Sequence, residues 1–260
     1  MLVTAADQFR LSTDRKTTVY ATPKPSGGPM GATPDGNSFG LPVGRKGSCK
    51  DATEWCEAVC YADLPYPSVQ NLLDHNWQVY KRNSRSVPRL AHLLIEVVEE
   101  SKRLADKRGV KHVFRWFWAG DIPSRTFAKA MSVVHGVFPD TDFWAYTRNF
   151  DAVGHLPDVY GNLAVYLSVD PFNVGKALKC WDVFGEREGY NLNLAFCADT
   201  WEETEQLAAQ FSDVRKGPRC PELVGKMPLI SWDENGKGQG ACVTCNMCVT
   251  GVNNVRFASC

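Results

Sequence analysis

The chain has 260 residues, enough for one large α/β domain or two small ones around a substantial core. Lys and Arg together number 29, as do Asp and Glu, so net charge supplies no argument for nucleic acid or a membrane surface. No apolar run approaches the length of a membrane span, and residues 1–10 lack the basic-then-apolar order of a secretory signal. Ten cysteines without an export signal point to a reducing compartment, where clustered thiols bind metals more often than they pair. The expected setting is cytoplasmic, with no membrane partner.

Residues 1–48 are rich in Gly, Pro, Ser and Thr and predict an irregular N-terminal segment, packed over a core or extended as an arm. Within it, residues 17–21 carry a short strand pattern. A cysteine group follows at Cys49, Cys56 and Cys60. The i,i+4 spacing of Cys56 and Cys60 places both thiols on one face of a helical turn, or in a metal loop. They read equally as small apolar side chains of a buried helix and as a three-thiolate loop that leaves one iron without a protein ligand.

From 68 to 106, apolar residues recur at three and four and predict two helices, divided at Pro88 and ended by Gly109. A nearly continuous apolar strand at 112–119 suits a sheet covered on both faces. A helix at 123–137, with Pro123 in its first turn, leads to a strand at 142–147. Further strands are expected at 162–169 and 192–197, with a helix at 174–184 between them. Thr200 and Glu203 form a capping-box pattern for a helix at 201–211. This alternation predicts an α/β fold, a mainly parallel sheet in the form of a partial (β/α) barrel, with its core at 49–216.

Parallel strands place function beyond their carboxyl ends. Those ends carry Asp121, Arg148 and Asp170, the candidates for catalytic residues, although Asp at such places also favours turns for local reasons. The five histidines are scattered, with none in a metal-binding pair spacing. Cys180, Cys197 and Cys260 match no ligand spacing and read as buried or free thiols.

The tail, 217–260, holds Cys242-Val-Thr-Cys245-Asn-Met-Cys248. A Cys-x2-Cys-x2-Cys run is the spacing with which ferredoxin-type loops bind three irons of a [4Fe–4S] cubane, a distant Cys-Pro supplying the fourth ligand. Here Cys220-Pro221 stands upstream, which makes Cys220, Cys242, Cys245 and Cys248 the expected ligand set. A structural zinc site would more usually pair two knuckles; zinc, disulfides and free thiols stay open beside the iron–sulfur reading. A cluster joining Cys220 to Cys242 would clamp the tail from Gly217 onward by closing a long loop.

Taken in order, Cys60-Tyr-Ala, Trp118-Ala-Gly-Asp121, Phe143-Trp-Ala-Tyr-Thr-Arg148, Cys220-Pro and the tail cysteines resemble the "gene product eighty-eight" family of actinobacteriophages. The resemblance covers roughly residues 40–250. It implies a phage-encoded protein in the bacterial cytoplasm and carries no established activity. A more distant likeness is to radical S-adenosylmethionine enzymes, in which three cysteines near the start of a partial barrel hold a cluster whose open iron binds the cosubstrate. Cys49, Cys56 and Cys60 occupy a comparable place as a second metal site. Their Cys-x6-Cys-x3-Cys spacing departs from that superfamily's Cys-x3-Cys-x2-Cys, and no Gly-Gly-Glu-type motif follows. Three functions are therefore expected to compete: a radical-type enzyme, a redox or regulatory protein touching host protein or DNA, and a structural cluster or zinc protein.

Overall fold

The computed structural model describes residues 7–23, 32–63, 66–157 and 160–258; Cys260 and the Gly- and Pro-rich residues 24–31 lie outside them. Three short strands come first, β1 (Ala21–Pro23), β2 (Ala32–Pro34) and β3 (Ser38–Gly40). Helices α1 (Glu54–Ala58), α2 (Pro67–Asn83) and α3 (Val87–Arg108) lead to β4 (Val113–Ala119). The alternating part continues with α4 (Arg125–Val137), β5 (Asp142–Thr147), a 3-10 turn (Phe150–His155), β6 (Leu163–Val169), α5 (Val174–Phe184), β7 (Asn191–Ala198) and α6 (Trp201–Ala208). The tail adds β8 (Ile230–Trp232), β9 (Gly238–Gly240), α7 (Ala241–Cys245), α8 (Met247–Thr250) and β10 (Val255–Ala258).

Six strands form one sheet in the order β10-β7-β6-β5-β4-β3, and every neighbouring pair is parallel. The sheet is open, with β3 and β10 at its edges, so the expected mainly parallel α/β fold is present without a closed barrel. Single bridges from Ser12 to Ser38 and from Arg219 to Arg256 cover part of each edge. A second sheet, β2-β1-β9-β8, is antiparallel and joins the N-terminal stretch to the tail.

Side-chain alternation divides the large sheet into two faces. On one, Phe143 and Ala145 of β5 and Leu163, Val165, Leu167 and Val169 of β6 join the main core with α3 to α6. On the other, Trp144, Ala164, Tyr166, Ala195 and Val255 pack with Val249 of α8 and Val19. Right-handed crossovers put successive helices on one side, which leaves the opposite face for the chain's two ends to cover. Phe117 breaks the alternation. Its φ of 53° turns it to the same core as Trp116, where β3 and β4 shift register.

Local signals explain most boundaries. Ser86 accepts from the Arg89 N–H, and Pro88 lies within the first turn of α3, so the break between α2 and α3 precedes the proline rather than falling on it. Likewise Pro123 lies just outside α4 rather than in its first turn, and Ser124 caps the helix. Gly109 closes α3 at φ 66°, and Thr200 with Glu203 forms the expected capping box on α6. Cys60 falls outside α1, so it does not share a helical face with Cys56. The strand pattern at 17–21 overlaps β1 only at Ala21, since β1 runs Ala21–Pro23.

Gly120 closes β4 at φ 82°, and a Cβ there would strike Ser48 Oγ and come within 2.6 Å of the Leu41 carbonyl oxygen. Gly120→Ala is therefore expected to cost about 2 kcal/mol or more, read from the urea midpoint. An unchanged midpoint would show that the 41–48 loop yields freely.

Candidate functional site

The tail thiols gather on the face opposite the helices. Cys242 opens this segment, its N–H donating to the Lys16 carbonyl at 2.7 Å, while Asn246 at φ 58° turns the chain from α7 into α8. Cys220 is held beside them because its N–H donates to the Arg256 carbonyl at 3.0 Å. Cys220, Cys242 and Cys248 lie within electrostatic reach of one another, and Cys245 within reach of Cys248. The Tyr146 hydroxyl donates to Cys248 Sγ. Burial pushes Cys248 up to about 11, and pushes Cys242 and Cys220 upward as well.

Arg115 is the cation of this wall. Its side chain is 9% exposed and pairs with Asp14 at 2.7 Å, while Nη2 donates to the Tyr61 hydroxyl at 2.8 Å. Tyr61 in turn donates to the Trp118 carbonyl at 2.7 Å. The guanidinium also stands 5.6 Å from the centre of the Tyr146 ring. Two buried donors on this side, Arg115 Nε and Trp144 Nε1, have no hydrogen-bond acceptor among the described residues. Lys16, paired with Glu222 at 2.7 Å, lies within reach of Cys242 and Cys220.

The second group sits at the carboxyl ends of the strands. Asp121 accepts from Thr147 Oγ1 at 2.6 Å and from the Arg148 N–H at 2.8 Å. Arg148 Nε donates to Asp170 at 3.2 Å. The three strand-end candidates thus form one connected chain along a rim, as their positions in sequence imply. Burial raises the Asp121 pKa, and its three hydrogen bonds only partly offset that. Fully buried Asp170 also accepts from Thr53 Oγ1 at 2.7 Å, and Trp55 Nε1 donates to Asp199 at 2.8 Å. These two bonds fix α1, with Cys56, over the ends of β6 and β7. Cys56 is within electrostatic reach of Cys60, Cys197 and Arg148, and Cys49 within reach of Cys56 and Asp121. Burial pushes Cys49 up to about 12 and Cys56 up to about 11.

As the side chains stand, no three Cys, His, Asp or Glu residues among those described are set to hold a metal ion. Cys180 is buried and apart from both groups, its thiol reaching the Phe150 carbonyl at 3.8 Å. Cys197, which matches no ligand spacing, is brought to the rim by its place near the end of β7. Arg115, Tyr146 and Tyr166 were not singled out by spacing. The signal for them was alternation: even-numbered residues of β5 and β6 share a face, and a charge inside an aromatic strand requires a partner.

The fold and the two thiol groups define a class, an α/β protein with an open parallel sheet, cysteines over its strand ends and cysteines against its helix-free face. The chain belongs to the Gene product 88 family, whose model matches residues 8–251. It is similar to the Gene 88 protein of Mycobacterium phage D29, with 35% identity over 96% of this chain and 98% of that protein. The Gene 88 protein of Mycobacterium phage L5 is also 35% identical, over 97% of this chain and 98% of its own. No solved structure matches significantly. The phage family resemblance is therefore confirmed, and the likeness to radical S-adenosylmethionine enzymes finds no support in these comparisons. Among the described residues, no helix is long and apolar enough to cross a membrane.

The raised thiol pKa values set a sign for alkaline stability. A thiol whose folded pKa exceeds its unfolded value, about 8.5, contributes fully below that value and loses its contribution as pH rises through the folded pKa. Metal-free protein should therefore lose stability between pH 9 and about 11–12 through Cys49, Cys56 and Cys248. Urea midpoints against pH, compared with a variant carrying Ala at these three positions, isolate the effect. Parallel curves for the two proteins would contradict it.

Proposed function

We propose that this protein binds iron and sulfide, with Cys220, Cys242, Cys245 and Cys248 holding one [4Fe–4S] cluster against the helix-free face of the sheet. The observation that carries this reading is the convergence of the four thiols beside two cations and two buried donors without acceptors. A thiolate-bound cluster is anionic, and N–H donors such as Arg115 Nε and Trp144 Nε1 suit its sulfurs. Buried thiols alone resist ionisation, whereas a metal takes the place of their protons. The thiols do not stand in a ligating arrangement, so capture requires the Cys242, Cys245 and Cys248 side chains to rotate on α7 and α8, helices of five and four residues, towards Cys220. A tetrathiolate zinc site is the alternative with the same ligands.

Protein purified without oxygen should be brown and carry about four irons and four sulfides per cluster. Cys242→Ser and Cys248→Ser should each bleach it. Colourless protein with stoichiometric zinc would replace the iron reading by the zinc one.

A second reading places a catalytic cluster at the rim. It rests on the Thr53 and Trp55 bonds that hold α1 and Cys56 over the strand ends, and on the electrostatic reach of Cys56 to Cys49 and Cys60. In that reading one iron lacks a protein ligand, and S-adenosylmethionine is the cosubstrate such an iron would need. Replacing the three cysteines by Ala should halve the iron content while the tail cluster's signal persists. Unchanged iron would make them packing residues and leave a redox-responsive protein, whose partner would be host protein or nucleic acid.

A further inference from the structure

A cleft of about 170 Å³ opens on the rim between the Lys50–Thr53 loop, Arg148 and the beginning of α5. We propose that it binds the phosphoryl group of a small molecule, with Arg148 as the anchor and Lys50 and Lys176 as flanking cations. This inference does not depend on either thiol group holding metal.

Three features carry it. Arg148 is deeply set, its side chain 17% exposed, yet it commits only Nε to Asp170. Its two terminal nitrogens have no hydrogen-bond partner among the described residues, although the side chain lines the cleft. A guanidinium held by one edge offers its remaining N–H groups as a fork, which matches two oxygens of a phosphoryl group. Second, Lys50, Lys176 and Arg148 face a single acidic wall residue, Asp51. Asp170 and Asp121 stand behind Arg148, away from the wall, and neither lysine makes an ion pair among the described residues. Three cations around one opening can meet the three oxygens of a phosphoryl group, where a carboxylate offers only two. Third, Phe172 borders the cleft with 68% of its surface exposed, a flat apolar platform for whatever the phosphoryl group carries. The position fits as well, because the cleft lies beyond the carboxyl ends of β5 and β6 in a parallel sheet.

Arg148 is oriented for this task by its surroundings. Burial would lower its pKa, but Cys197, Cys56 and Asp170 together hold it above the ordinary value, so it stays charged. Asp170 is itself fixed by the N–H groups of Phe172 and Asn173, at 3.0 and 3.2 Å, and by Thr53. The same residues therefore shape the cleft's floor and hold its anchor.

Calorimetric titration of the full chain with inorganic phosphate and with adenosine monophosphate tests the proposal, acetate at equal ionic strength serving as control. Both phosphate compounds should bind saturably at millimolar concentration or below, and acetate should not displace them. The exposed double variant Lys50→Gln, Lys176→Gln should weaken both by roughly fivefold or more. Phe172→Ala should weaken adenosine monophosphate alone, which separates the platform from the anion site. Arg148→Lys should abolish binding of both; its fold is checked by circular dichroism, and the lysine variants decide the matter if it fails to fold. Absence of saturable phosphate binding, unchanged affinity in the double lysine variant, or displacement by acetate would each overturn the proposal.

Discussion

The buried guanidinium of Arg115 is the constraint on which both faces of this molecule depend. A charge taken out of water must find partners, and removing one partner of such a pair typically costs about 3–5 kcal/mol. Arg115 finds three in different parts of the chain: Asp14 from the N-terminal stretch, Tyr61 from the cysteine-bearing loop, and the face of the Tyr146 ring in the neighbouring strand. Through Tyr61 the contact continues to the Trp118 carbonyl, near the end of β4. One side chain thus fixes how the N-terminal stretch, the 49–61 loop and the sheet meet. Cys242 lies within its electrostatic reach, so the tail is drawn into the same network.

Why the two cysteine groups end where they do follows from topology. A sheet whose parallel strands succeed one another in chain order sends every crossover helix to one face. The other face is then without cover, and its apolar residues, Trp144, Tyr166 and Val255 among them, must be buried by segments outside the alternating part. The tail does this with Val249, Met247 and Cys248, and the N-terminal stretch with Val19. The loop before α1 lies instead across the strand ends, tied down at Asp170 and Asp199. Thiols near the sheet's centre and thiols at its rim therefore occupy separate environments. The first group meets Arg115, Lys16 and two tyrosines, the second Arg148 and carboxylates.

How much of this could be read from residues alone depends on the length of the signal. β4 to β7 and α2 to α6 are long and periodic, and their positions agree with the sequence to within a few residues. Because strand ends then follow automatically, the sequence places Asp121, Arg148 and Asp170 on one rim, where hydrogen bonds link them. β3 and β10 could not be placed so. Three or four residues at a sheet edge, such as Ser38–Gly40, carry no pattern, and only pairing to a longer neighbour makes them strands. The same applies to β1, β2, β8 and β9, which stabilise one another across more than 200 residues of sequence. Cys197 was illegible for a different reason. Its neighbours at the rim, Cys56 and Arg148, come from distant elements, and no local spacing encodes such a meeting.

The small antiparallel sheet also changes what a tail cluster could do for stability. Read as sequence, the stretch between Cys220 and Cys242 is a long loop with few anchors, so a cross-link at its ends would act mainly by closing it. In the folded chain that loop is already organised. β8 pairs with β9, β9 reaches β1 through Ala21 and Gly238, and the Ala241 N–H donates to the Leu229 carbonyl at 3.0 Å. Beyond the thiols, β10 runs parallel to β7 over four residue pairs, with Arg256 bonded to the Gly217 carbonyl and to Glu205. The chain on both sides of the Cys-x2-Cys-x2-Cys run is therefore held without metal. The run itself is two helices of about one turn, too short to persist by their own hydrogen bonds, so its order rests on packing and on bonds to the sheet. A cluster held there would order α7 and α8, and its sulfurs would offer acceptors for the unsatisfied N–H groups of Arg115 and Trp144, acting on about ten residues rather than on the whole tail.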